Sequence, residues 1–409
     1  PRTRRPSMRG RRGPVLCILL AVAAAAVLTL PSPALAQSGP RVTLNSSRTK
    51  VPFGKSITLW GRISRPPPGQ GLRGQTVRIY DVERDVVVAR ARTDRRGRYD
   101  VSLAPRRRLK MRARWVPART ARARSRLAIV RVRARVKVSL SRTKLFDRTV
   151  AKGIVRPAHP GRRVRVRLLR YGRRVATRRV ELGPDGRRFR ARFLIRKPGT
   201  YRTKATFVHE DHLRGRDASR RRTPPLPALH VGSRRGYVRL LERRLRKLEY
   251  HITGVNRRYD RRTRDAVIAF NKVQGSPRSG SVGAGTWRAL ASPKRPHPRF
   301  RRARYHIEID QTKQVVYLVR RGKVTAIVHT STGANGATRD GTFRVHRKLA
   351  GYSSGGLYYP SYFDGLRALH GWSSVPTYPA SHGCARLPMW TAKWMFRKAP
   401  LGTQVRVYH

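Results

Sequence analysis

The sequence predicts a mainly β protein of several domains, interrupted once by a short helical unit. Three observations carry this. Between residues 41 and 222 apolar and polar residues alternate in short runs, as in Val164-Arg165-Val166-Arg167-Leu168, the two-residue period of a strand with one solvated face. From Gly236 the period becomes helical, with Val238, Leu241, Leu245 and Leu248 on one face. After residue 303 alternation returns, with Tyr305, Ile307 and Ile309 on one side. A length of 409 residues allows two to three domains of about 150 residues each, and the patterns divide the chain more finely.

Residues 1–36 have the layout of an export signal. Arg9, Arg11 and Arg12 precede an apolar run over 14–30, and Ala34-Leu35-Ala36 is a small-x-small cleavage site before Gln37. The alternative is an uncleaved membrane anchor. The run falls slightly short of the about twenty residues a span needs, and Pro31 and Pro33 interrupt it. Cleavage and export to the cell wall, periplasm or another extracytoplasmic space is therefore the expectation. Membrane contact is expected through this segment alone.

Residues 41–133 and 134–222 read as two copies of one unit. Ser47-Arg48-Thr49-Lys50 recurs as Ser141-Arg142-Thr143-Lys144, and Asp94-Arg95-Arg96-Gly97-Arg98-Tyr99 as Asp185-Gly186-Arg187-Arg188-Phe189. Gln75-Thr76-Val77-Arg78-Ile79 recurs loosely as Arg163-Val164-Arg165-Val166, and Trp115-Val116 as Phe207-Val208. Short alternating strands separated by Gly, Pro and Asp turns predict two tandem immunoglobulin-like β-sandwiches. Neither copy holds paired carboxylates or a cysteine, so both are read as spacers or adhesive modules.

Residues 223–233, with Thr223-Pro224-Pro225-Leu226-Pro227, read as a stiff linker. A small helical domain follows over 234–292, with a second apolar stripe of Ala266, Val267 and Phe270. A Pro- and Arg-rich stretch over 294–302 reads as a second linker. Beyond it, apolar runs at 315–319 and 324–328 flank Arg320-Arg321-Gly322-Lys323, a hairpin turn. Residues 388–398 predict a helix with Pro388 near its first position and Trp390, Trp394 and Met395 facing the sheet.

The formal net charge of +77 draws such a chain to any polyanion, including anionic cell-wall polymers. Much of the Arg simply fills solvent positions of strands. No zinc finger, RNA-recognition sequence or basic zipper is present, so no specific nucleic-acid partner is expected.

Chemistry concentrates near the C-terminus. Cys384 is one of two cysteines, and Cys17 lies in the segment expected to be removed. A lone thiol in an exported chain has no disulfide partner and is marked as reactive. It sits in Ser381-His382-Gly383-Cys384-Ala385-Arg386, with Leu369-His370-Gly371 upstream. An imidazole near a thiol is the usual means of making the nucleophilic thiolate near neutral pH. Gly383 lets the backbone turn sharply and aim N–H groups at a developing oxyanion. A buried inert cysteine and a zinc site of His370, His382 and Cys384 are the competing readings. No second cysteine and no His-Glu-x-x-His run supports the latter, so no metal and no cofactor are expected.

His-Gly, a short spacer and Ser-His-Gly-Cys-x-Arg resemble the signature of the L,D-transpeptidase catalytic domain, which cross-links bacterial peptidoglycan. Ser331-Thr332-Gly333, Thr338-Arg339-Asp340-Gly341-Thr342-Phe343 and Gly402-Thr403-Gln404-Val405-Arg406-Val407 extend the resemblance over 303–409, with Arg339 standing where the family has Pro. Residues 234–292 resemble the three-helix peptidoglycan-binding domain through Asp260-Arg261-Arg262-Thr263 and Gly283-Ala284-Gly285-Thr286-Trp287. The resemblance implies peptidoglycan stem peptides and glycan as partners. It implies Cys384 as nucleophile, His370 as general base and His382 as an accessory catalytic residue. Gly371, Ser381, Gly383 and Arg386 become substrate-binding positions, the Gly371 carbonyl orienting the His370 ring and the Gly383 and Cys384 N–H groups holding the oxyanion. It further implies a thioester, release of D-Ala from a stem tetrapeptide, and a 3-3 cross-link. The alternatives are an L,D-carboxypeptidase, or a non-catalytic wall-binding protein.

Overall fold

The computed structural model describes residues 39–65, 70–115 and 123–409. The segment read as an export signal lies outside the described residues. Among them no helix is long and apolar enough to cross a membrane.

Two β-sandwiches come first. In strand Ile57–Arg65 the inward positions Ile57, Leu59, Gly61 and Ile63 are buried, while Thr58, Trp60 and Arg62 face out. Strand Arg135–Leu140 repeats the pattern with Val136, Val138 and Leu140 inside and Arg135, Lys137 and Ser139 outside. The excess arginine of these strands therefore sits on solvated faces, where its charge costs no desolvation. The two units are internally equivalent. Asp94 accepts the N–H groups of Arg96 and Arg98, and Asp185 accepts those of Arg187 and Arg188, so each closes the turn before its following strand. Trp115 and Phe207 are buried at matching places.

One further correspondence escaped the sequence. Gly61 pairs with Tyr99 across its sheet, and Gly153 pairs with Phe189. A Cβ at Gly61 would collide with the Tyr99 ring, and one at Gly153 with the Phe189 ring. Each unit thus lays an aromatic ring over a glycine that any side chain would displace.

The helical domain consists of α1 (Gly236–Lys247), α2 (Arg261–Gln274) and α3 (Ala284–Ala291). Asp260 caps α2 by accepting the Thr263 N–H at 2.9 Å, which gives the Asp-x-x-Thr element a structural reason. Gly275 ends α2 with φ 68°. Val238, Leu241, Leu245 and Leu248 are buried together with Phe270, Trp287 and Leu290. The stretch before the helices is fastened down: Trp287 Nε1 donates to the Pro227 carbonyl at 2.8 Å, and Leu229 and Val282 exchange both backbone hydrogen bonds.

The C-terminal domain has two sheets. One runs Lys323–His329, Val315–Arg320, Tyr305–Asp310, Gln404–Tyr408, Gly341–Arg344. The other runs Arg347–Lys348, Tyr358–Asp364, Arg367–Trp372, Ala385–Pro388. Arg321 (φ 49°) and Gly322 (φ 68°) form the tight hairpin turn, both in the left-handed region as a type I′ turn requires. Ile307, Ile309, Val316, Leu318, Val405 and Val407 pack against Phe363, Leu369, Leu387 and Met395.

Helix α4 (Met389–Lys398) forms where expected, but its orientation corrects one reading. Thr391, Ala392 and Met395 are its buried side chains. Trp390 instead donates from Nε1 to Asp265 of α2 at 2.9 Å, and the His251 ring stacks on Trp390 and on Trp394, 3.8 Å from the latter. Trp390 is turned toward the helical domain because that domain supplies its partners, while Trp394 packs against the core of the two sheets, as expected, and against the His251 ring. Beside them the chain after α1 adds itself to an edge of the first sheet: His251 N–H donates to the Ile327 carbonyl at 2.9 Å, and Ile327 N–H to Glu249 at 2.8 Å. Tyr250, Phe270 and Val273 then share a core with Val315, Tyr317, Val319 and Ile327.

Candidate active site

Strands Arg367–Trp372 and Ala385–Pro388 run parallel, with Leu369 beside Ala385 and His370 beside Arg386. Extending the register one residue puts Cys384 next to Ala368, and the Ala368 N–H points to Cys384 Sγ at 3.4 Å. Side chains two residues apart share a face. His370 and Cys384 therefore lie on the same face of the second sheet, on neighbouring strands.

His370 is buried, and its Nδ1 lies 2.9 Å from the Gly371 carbonyl. A carbonyl only accepts, so Nδ1 carries the proton and Nε2 keeps the lone pair. Burial pushes the His370 pKa down, the Gly371 carbonyl opposes this, and Arg386 adds to it. Burial pushes the Cys384 thiol up, while the Ala368 N–H, Arg386 and Arg367 pull it back. Gly371 has no room for a side chain, since a Cβ would lie 2.7 Å from the Ala392 methyl on α4.

The cysteine loop is held from within. Ser381 Oγ donates to the Cys384 carbonyl at 2.6 Å and accepts the Gly383 N–H at 3.0 Å. Gly383 has φ 128°, and a Cβ there would meet Arg367 Nε at 2.8 Å and the Ala337 carbonyl at 2.9 Å. Its conformation and its space both demand glycine. His382 is exposed. The Arg386 guanidinium lies 5.3 Å over the Trp372 ring.

A second layer holds that loop. Thr338 Oγ1 donates to the Gly383 carbonyl at 2.8 Å and accepts the Gly333 N–H at 2.7 Å. Gln314, fully buried, exchanges hydrogen bonds with Thr332. Ser331 pairs with Arg386 and Gly333 with Ser381. Arg339, at the family's proline position, forms a two-pronged ion pair with Asp364, which also accepts from Arg367 Nη1 at 3.0 Å. Arg367 Nε in turn donates to the Ala337 carbonyl at 2.8 Å. Sequence reasoning missed Gln314, Asp364 and Arg367. One signal was available: with 19 acidic residues against 96 basic ones, each carboxylate near the site has many potential partners and invites a closer look.

His370, His382 and Cys384 do not converge as metal ligands. The one group of three close ligand residues among the described residues lies elsewhere, in the second sandwich.

Comparison with known proteins follows this division. Residues 304–407 match the L,D-transpeptidase catalytic domain, and residues 234–290 match a putative peptidoglycan binding domain. An L,D-transpeptidase from Xylanimonas cellulosilytica (residues 123–326) is 37% identical, over 45% of this chain and 100% of that one, with a TM-score of 0.43. An L,D-transpeptidase from Stackebrandtia nassauensis is 22% identical over 45% of this chain and 97% of that one, with a TM-score of 0.30. The catalytic domain of the Enterococcus faecium enzyme is 23% identical over 27% of this chain and 100% of that one, with a TM-score of 0.23. No curated protein matches the chain. On its sequence match to the first of these structures, and on the two domain matches in tandem, the chain belongs to the L,D-transpeptidase family.

Proposed function

We propose that the chain forms 3-3 peptidoglycan cross-links outside the cytoplasm, through a thioester on Cys384. The observation that carries this is the His370 ring, held by the Gly371 carbonyl so that its Nε2 lone pair is free, on the strand beside Cys384 and on the same face. His370 takes the thiol proton as Sγ attacks the carbonyl of the L-centre of a stem tetrapeptide. The oxyanion collapses, the bond to D-Ala breaks, and the leaving amine takes the proton from His370. The side-chain amine of a second stem then attacks the thioester, forming the new amide and returning the proton to sulfur.

The Gly383 N–H is already accepted by Ser381, which leaves the Cys384 N–H as the donor we assign to the oxyanion. Ser381, Gly371 and Gly383 then act by shaping the loop and fixing the base, in place of direct substrate contact. Arg386 remains the group for a stem carboxylate, and the exposed His382 sits at the rim of the site. Leu366, 77% exposed and with its carbonyl 3.8 Å from Sγ, offers an apolar edge to the donor. The helical domain and the net charge of +77 support attachment to the wall and its anionic polymers.

Intact-protein mass after incubation with a stem tetrapeptide tests the reading. One acyl adduct and free D-Ala are expected from the native chain, and neither from Cys384→Ala. His370→Ala should slow acylation by about 10²–10⁴-fold with the fold kept. An adduct on another residue, or none on the folded native protein, would defeat the assignment. Release of free tripeptide instead of cross-linked product would make the enzyme an L,D-carboxypeptidase.

A further inference from the structure

Three histidines meet where the two sandwiches join, far in sequence from Cys384. His159 lies in the connection between strands Arg148–Arg156 and Arg163–Arg170, His209 ends strand Tyr201–His209, and His212 opens strand His212–Ala218. The ring centroids of His159 are 4.3 Å from those of His209 and 5.1 Å from those of His212. One ring nitrogen of each histidine lies within 4.8 Å of those of the other two.

A stack of three imidazoles could be mere packing, but packing would satisfy the ring nitrogens. Here His212 Nε2 is bonded to the Arg106 carbonyl at 2.8 Å, so Nε2 carries the proton and Nδ1 keeps the lone pair. That Nδ1 is buried with no hydrogen-bond partner among the described residues, and so is His159 Nε2. His212 itself is only 8% exposed. Two buried ring nitrogens without a partner, close to a third imidazole, call for a Lewis acid or a donor that the described residues do not supply.

We propose that His159, His209 and His212 bind a divalent first-row transition-metal ion, with zinc the natural occupant, and that the ion clasps the two sandwiches together. Three imidazoles suit zinc, and small rotations of the rings bring nitrogens 4.8 Å or less apart to a common ion at the usual Zn–N distance of about 2.0–2.1 Å. The bond from His212 to Arg106 is the outer-shell contact such a ligand ordinarily has. Because Arg106 belongs to the first sandwich, the ion would be tied to both units. His209 Nδ1 accepts the Asp211 N–H at 3.2 Å and lies 3.8 Å from its carboxylate, which leaves Nε2 as the His209 ligand atom; the Asp211 backbone carbonyl accepts the Arg108 N–H from the first sandwich. Asp211 also offsets the neighbouring cations: Arg84 is 3.9 Å from its carboxylate. The site is independent of the catalytic cysteine and of the reaction proposed above.

The test is a zinc titration of the full chain at pH 7.5 against a chromogenic chelator, with cobalt absorption as a second readout. One tightly bound zinc per chain is expected, equally in native protein and in Cys384→Ala, with visible cobalt bands of a four-coordinate site. His159→Gln and His209→Gln, both at partly exposed positions that tolerate a polar amide, should each weaken binding by about 100-fold or more. The idea is overturned if no stoichiometric zinc binds in the micromolar range. It is equally overturned if binding survives both histidine variants, or disappears in Cys384→Ala, which would move the ion to the catalytic loop.

Discussion

Cys384 and His370 are shifted in opposite directions by the same cause. Burial raises the thiol and lowers the imidazole, and in neither case do the nearby Gly371 carbonyl, Ala368 N–H, Arg367 and Arg386 undo it. Both shifts favour a neutral thiol beside a neutral imidazole in the resting site, and in the proposed reaction the proton moves as the substrate carbonyl is attacked. The sign can be worked out for each limb. A lowered His370 stays basic below its usual pKa of about 6.5, so the acid limb of the acylation rate should fall below that pH. A raised thiol should make iodoacetamide alkylation of the resting enzyme climb only above the ordinary thiol range of about 8.5. Alkylation that inflects below pH 7 would instead mean a preformed thiolate–imidazolium pair. Cys384 and His370, the proposed nucleophile and base, stood out in the sequence because their neighbours are a few residues away. Thr338 and Arg367 act on the same loop from far off in sequence, Thr338 reaching Gly383 over a separation of 45 residues. No local pattern encodes such a meeting; the sheet order does.

Among the elements, α2 has the most consequential neighbour. Its Lys272 is 4% exposed and donates to the Gln314 carbonyl at 2.9 Å, His329 Nδ1 at 2.8 Å and the Thr330 carbonyl at 2.9 Å. Thr330 in turn donates from Oγ1 to the Arg386 carbonyl at 2.7 Å, two residues from Cys384. Lys272 Nζ thus fixes, from another domain, the segment against which the cysteine strand is laid. Lys272→Met keeps the volume and removes the donors, leaving three buried acceptors unpaired at about 1–3 kcal/mol each. Thermal unfolding should fall by several degrees, and acylation should slow although Lys272 touches no reacting atom. Burial, with Arg278 nearby, pushes Lys272 down to about 6, so between that value and about 10.4 the unfolded chain holds the proton more tightly. The stability margin of native protein over Lys272→Met should accordingly widen as pH rises across that window. A margin independent of pH would show the lysine to be neutral in the unfolded chain as well, or exposed in the folded one. The helical period around Lys272 was plain in the sequence, but its lysine looked like any other of the 96 basic residues.

On the scale of the whole molecule, the helical domain and the catalytic domain are one packed body. The repeats, the helical unit and the hairpin at Arg321-Gly322 were legible because each is written in local periodicity and turn residues. The docking was not, because linkers were inferred from composition alone. The proline-rich segment before the helices is bonded to Trp287, and the segment before the catalytic domain is held by Glu308, which accepts the Arg299 and Phe300 N–H groups at 3.0 and 2.9 Å. Tyr250 and Phe270 cover Val315, Tyr317, Val319 and Ile327, all at 1% exposure or less. Removing the helical domain would bare this apolar face and the sheet edge that Glu249 and His251 now occupy. Each side chain so uncovered forfeits up to about 1.5–3 kcal/mol of burial, which for four residues is comparable to the whole stability of a small domain. Residues 303–409 expressed alone should therefore aggregate or melt far below residues 223–409, and should lose acylation in proportion. If the shorter fragment instead melts and acylates like the longer one, the shared core contributes nothing and the helical unit is a passenger. If the expectation holds, loss of activity on deleting residues 234–292 says nothing about wall recognition, and that role must be read from surface substitutions on α1 and α3 that leave the shared core intact.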